Sequence, residues 1–130
     1  MMKLNNTIKV MVPTKDNDGN AIDYLPMVQK VTEFIGGSTM YDAQGLWVDG
    51  GQLYKDSNKL VEFNVDDSHV YNSVVDIIRY IVTPLLHEGG QLAVWLQVNG
   101  MTYILNNSDN YAEDVSEILK TLPEEVQVND

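Results

Sequence analysis

The residues that could do chemistry are few. There is no cysteine, which removes disulfides, thiolate metal sites and a thiol nucleophile. Asp16, Asp18 and Asn20 alternate as the oxygen ligands of a calcium loop do. The sharp turn of such a loop needs glycine where Ala21 stands, however, and its bidentate acid would fall on Met27. A solvated turn is the better reading. His69 follows Asp66-Asp67-Ser68, but neighbours in sequence cannot converge as a nucleophile, base and orienting acid must. Ser68 reads instead as the N-cap of a helix beginning at Val70, and His87 as a residue favoured at a helix C-terminus. Glu33, Asp42, Asp56 and Glu62 can supply a carboxylate pair for acid–base work, but nothing in their spacing brings them together. Gly36-Gly37 and Gly50-Gly51 lack the lysine and the glycine spacing of a phosphate loop. No catalytic residue, metal site or cofactor is therefore assigned.

Two features remain. From Asp109 to the C-terminal Asp130 there are seven acids and one base. Such a segment can mimic nucleic-acid phosphates and block a basic groove on another protein, or simply keep the chain soluble. On the first reading Asp109, Glu113, Asp114, Glu117, Glu124 and Glu125 carry the contact. The alternative is a ligand pocket between sheet and helices, lined by Tyr41, Trp47 and Trp95. On its strand Trp95 shares a face with Ala93 and Gln97, opposite Val94 and Leu96.

The elements that must position these residues follow from periodicity. Thr7 to Val12 alternates as a strand and stops at Pro13. Asp23 is placed to cap a helix carrying Tyr24, Val28, Val31 and Ile35, with Pro26 in its first turn and Gly36-Gly37 ending it. Ser38 to Val48 is extended, with a bulge or bend expected at Gly45. Leu60 to Val65 returns after Asp49-Gly50-Gly51, forming a hairpin with a long mobile tip. Val70 to His87 reads as a helix kinked or ended by Pro84 near Tyr80 to Thr83. Its apolar stripe is wide enough to predict burial on two sides, the second by another subunit. Leu92 to Val98, the turn Asn99-Gly100 and Met101 to Leu105 form a second hairpin. Tyr111 to Leu122 is a short acidic helix. This order predicts one α+β domain over residues 1–130, a ferredoxin-like sandwich with helices on one face of an antiparallel sheet. To the β-α-β-β-α-β order it adds an extra strand and, over 106–130, an acidic C-terminal helix and tail.

Composition sets the partners. The 130 residues carry 8 basic and 19 acidic side chains, a net charge of −11. Arg79 is the sole arginine and the lysines are scattered, so neither a nucleic-acid backbone nor an anionic membrane is a natural partner. No apolar run is long enough to span a bilayer, and the N-terminus lacks an apolar signal core. The expected setting is cytoplasmic, and the expected partner a protein, with a homodimer formed through the sheet or through Val70 to Leu86.

The series Gly36-Gly37-Ser38-Thr39, Ala43-Gln44-Gly45-Leu46-Trp47-Val48, Gly51 and Asp56 resembles a loose family of small uncharacterised bacterial and phage proteins. Its pattern is G-G-x-T, then A-x-G-x-W, then an acid after the next turn, usually Glu where Asp56 stands. Val12 to Asn20 fits the same setting, so the resemblance covers Ile8 to Val65. It implies an α+β fold and a phage or mobile-element origin, with no established reaction. The expectation is a non-enzymatic interaction protein, an inhibitor of a host nucleic-acid-binding enzyme, with a small-molecule binder or minor enzyme as the alternative.

Overall fold

The computed structural model describes residues 1–123. In chain order it contains β1 (Asn6–Pro13), α1 (Leu25–Ile35), β2 (Thr39–Asp49), β3 (Gln52–Val65) and α2 (Val70–Ile77). A π-turn (Ile78–Val82), α3 (Thr83–His87), β4 (Ala93–Val98), β5 (Met101–Asn106) and α4 (Tyr111–Lys120) follow. The strands form one antiparallel sheet in the order β2-β3-β1-β4-β5. The first four strands have the ferredoxin-like arrangement, and β5 extends the sheet through its hairpin with β4.

Period-two alternation decides which face is covered. Ile8, Val10 and Val12 on β1, Val61 and Phe63 on β3, and Leu96 on β4 are fully buried on one face. The helices pack there, with Val31, Val74, Ile77 and Ile118 completing the core. Each of these side chains contributes about 1.5–3 kcal/mol relative to an exposed one. Asn99 and Gly100 both take positive φ, 49° and 85°, as the tight β4–β5 turn requires.

Several local expectations are corrected. Helix α1 begins one residue later than an Asp23 cap would require. Tyr24 sits at the cap without a side-chain bond, and its carbonyl accepts the N–H of Val28. His69, not Ser68, occupies the cap of α2, because the Ser68 hydroxyl is turned back to Asp66. There is no bulge at Gly45. The β2–β3 ladder runs unbroken from Thr39–Glu62 to Asp49–Gln52, so the hairpin is a paired ribbon to its tip. Beyond Asn58, where pairing with β1 ends, this ribbon has two strands only.

The proline is accommodated by the π-turn. Pro84 has no N–H to return to Tyr80, and the widened turn lets the Thr83 N–H reach Ile78 O instead. On its second flank this helical run is met by α1 and α4 of the same chain. Phe34 of α1 lies 5.5 Å from the Tyr80 ring, and Tyr111 of α4 bonds the Thr83 hydroxyl at 2.6 Å.

Candidate functional site

The same alternation that fills the core leaves Met11, Pro13, Trp47, Asp56, Asn58 and Trp95 on the opposite, helix-free face. At the Pro13 end of the sheet they border a hollow of about 580 Å³. The β2–β3 register places Trp47 opposite Tyr54, and their rings stack at 4.3 Å and 16°. Trp47 Nε1 donates to Asp56 Oδ2 at 3.0 Å. Gly45 is the cross-strand partner of Asp56, so no side chain stands directly opposite that carboxylate. A Cβ on Gly45 would come within 3.3 Å of Asn58 Nδ2. Trp95 reaches the hollow from β4, two strands away from β3.

One side of the hollow is closed by the loop after β1. Asp16 Oδ1 accepts the N–H groups of Asp18 at 2.9 Å and Asn20 at 2.8 Å, which ties the loop into a turn. The Asp16–Asn20 spacing thus does turn chemistry. Among the described residues no cluster of three or more His or carboxylate side chains is arranged to hold a metal. Asn17 Nδ2 donates to Gly90 O at 3.2 Å and joins this loop to the segment before β4. There Gln91 lines the hollow, and its Nε2 is buried without a hydrogen-bond partner among the described residues. A buried donor left unmatched costs about 1–3 kcal/mol. Lys15, Asp16, Lys55 and Asp56 are the charged groups of the lining.

The hollow that the two tryptophans border lies on the helix-free face rather than between sheet and helices. Trp47 and Trp95 meet in it. Tyr41 shares the face, paired with Leu60, but does not line the hollow. The four carboxylates considered for acid–base work have separate partners. Asp42 is bonded to Lys59, Glu62 faces Lys9 at 3.8 Å, Glu33 accepts from Gln29, and Asp56 from Trp47. Gln91 was not singled out from the sequence, where a lone Gln after Gly89-Gly90 carries no signal.

A second hollow of about 500 Å³ lies at the other end of β1, bordered by Gly36, Gly37, Thr39, Asp66, His69 and Ser73. Asp66 Oδ1 receives Ser68 Oγ at 2.9 Å and lies 2.6 Å from His69 Nδ1. Bonding to His69 first, then Ser68, holds the Asp66 carboxyl below its usual range. Serine and histidine both lean on the acid, so their order is not that of a triad. On α4 and the turn before it, Asp109, Glu113 and Glu117 are exposed and Asp114 is half-buried. No ion pair among the described residues involves them. Glu124 and Glu125 lie outside the described residues.

No family model matches the sequence, and no curated protein matches it. Solved structures do resemble the fold. A phage SAM lyase in complex with S-methyl-5′-thioadenosine superposes with a TM-score of 0.58 at 12% identity, covering 82% of this chain and 95% of the other. The chain shares its fold with the phage SAM lyase. The apo form of a phage SAM lyase gives 0.53 at 13% identity, over 83% of this chain and 96% of its own. The divalent ion tolerance protein CutA1 from Ehrlichia chaffeensis gives 0.48 at 11% identity, over 92% and 98%. The described residues form an α+β sandwich. No helix among the described residues is long and apolar enough to cross a membrane.

Proposed function

We propose that the protein binds a small organic ligand in the Trp47–Asp56–Trp95 hollow, of the adenosyl thioether or sulfonium class that includes the compound held by the phage SAM lyase. The observation that carries this reading is a hollow bordered by two tryptophans and the Asp56 carboxylate, beside which Gln91 Nε2 is buried without a partner among the described residues. A flat base stacks well on an indole, typically for about 1–3 kcal/mol. Lys15 or Lys55, which border the hollow, can meet a carboxylate of the ligand. The test is titration with S-adenosylmethionine and with S-methyl-5′-thioadenosine, read by tryptophan fluorescence and melting temperature. Binding should quench fluorescence and raise Tm, and Trp95→Ala should weaken it at least tenfold. If neither compound changes either signal, the reading fails.

Self-association belongs on the same face under this reading. Helices cover the other side, whereas Tyr41, Trp47 and Ile104 are 46%, 49% and 60% exposed on this one. On this face Lys9 and Glu62 offset each other. An acidic chain approaches its own copy most easily across such a surface. A single species of monomer mass at all concentrations would exclude it.

The exposed acids of α4 favour a second reading, non-enzymatic binding to a basic groove on a host protein by a phage- or mobile-element-derived chain. Reversing Asp109, Glu113, Asp114 and Glu117 to Lys should then abolish salt-sensitive binding to that partner. Unchanged affinity would remove this reading.

A further inference from the structure

We infer that the Trp47–Asp56 corner of the hollow selects an onium cation, a sulfonium or quaternary ammonium centre, over its neutral counterpart; this rests on the ligand-binding reading above. An onium centre has no N–H to donate, so proteins hold it with the faces of aromatic rings and a nearby carboxylate. This corner has both. Trp47 and Trp95 border the hollow, and Tyr54, outside its lining, braces one face of Trp47 at 4.3 Å. The Asp56 carboxylate is fixed beside Trp47 by the indole N–H at 3.0 Å through one oxygen. Its other oxygen accepts no hydrogen bond among the described residues, and Gly45 opposite carries no side chain to cover it. The remaining charged groups of the lining do not duplicate this role. Asp16 Oδ1 is engaged by two backbone N–H groups of its own turn, and Lys15 and Lys55 repel a cation. Preference therefore comes from one acid and the rings beside it. The sequence pattern gains a physical meaning on this account, since its glycine, tryptophan and following acid converge at this corner.

The site is exposed, so the preference is moderate and depends on salt. S-adenosylmethionine and S-adenosylhomocysteine differ by one methyl group and the charge on sulfur, which makes them the natural pair. Choline supplies an onium without a base. In the full chain at low ionic strength, S-adenosylmethionine should bind about fivefold to tenfold more tightly than S-adenosylhomocysteine. Asp56→Asn keeps the size of the side chain and an acceptor for the Trp47 N–H. It should bring that ratio below about twofold, and raising salt should do the same to the natural protein. Equal affinities in the natural protein, or a ratio that survives Asp56→Asn, would overturn the inference and leave the ligand-binding reading standing. Choline binding that depends on Asp56, with neither adenosyl compound bound, would support the onium corner and overturn the adenosyl ligand. Binding of none of the three would overturn both.

Discussion

Asn99 Nδ2 donates to Asn6 Oδ1 at 2.8 Å, joining the β4–β5 turn to the first residue of β1 across 93 positions of sequence. Asn99 also clasps the next residue, accepting the Thr7 N–H on its side chain at 2.9 Å and donating its own N–H to Thr7 O at 2.9 Å. Asn6 is 5% exposed, and its amide nitrogen reaches Asp67 Oδ1 at 2.8 Å and Val65 O at 3.3 Å. One buried amide therefore links β1, the β3–α2 connection and the second hairpin.

Replacing that amide should be costly. Asn6→Leu is expected to lower unfolding free energy by about 2 kcal/mol, because several partners lose their bond in a place water reaches poorly. Urea denaturation checks this as a lower midpoint at unchanged slope. A loss below about 0.5 kcal/mol would mean that the hub is replaceable.

Two glycines should respond oppositely to alanine. A Cβ on Gly89 would stand 2.9 Å from Leu85 O, a backbone atom that cannot swing away. Gly89→Ala should cost about 1–3 kcal/mol. Gly37 has nothing within 4 Å and no positive φ, so Gly37→Ala should stay within about 0.5 kcal/mol. Paired thermal melts distinguish the two.

Burial raises the pKa of Asp76 from 3.8, with Arg79 opposing the shift. A carboxyl whose folded pKa is raised favours folding when protonated, and that contribution is lost as pH rises through the folded value. Asp76→Asn should therefore raise Tm at pH 7, and the gain should fade as pH falls below about 4. A gain constant with pH would point to another cause.

Asp66 runs the other way. Its folded pKa is lowered from 3.8 by bonds from His69 and Ser68, so its contribution is present above the unfolded value and lost as pH falls through the folded one. In an NMR titration its carboxyl should change below pH 3.8, and His69→Ala should move that change upward. Both side chains are well exposed, so the effect on global stability should be small.

The strands were legible because Ile8, Val10 and Val12, and likewise Val61, Phe63 and Val65, repeat with the two-residue period of a sheet covered on one side. Trp47 and Asp56 could be paired from the hairpin turn at Gly50-Gly51, which sets the register between them. Trp95 could not be added, since its place depends on β1 inserting between β3 and β4. Gln91 was invisible for the same reason, because the hollow it lines is shared with the distant Lys15, Asp16, Asn17 and Gly19. The helix starts at Asp23 and Ser68 were misread by one residue, as local side-chain bonds compete for the cap. The wide stripe on Val70 to Leu86 was real, but its second cover was α1 and α4.

The central position of β1 bears on how the chain acquires its structure. Its neighbours are β3 and β4, so during synthesis the first strand waits unpaired until residues near Val65, and then Val98, have left the ribosome. The β2–β3 ribbon closes on itself and can form early, offering an edge for β1 to join. The last gap is filled when β4 arrives and Asn99 locks onto Thr7. Folding speed should therefore respond most to changes that delay this late, long-range closure.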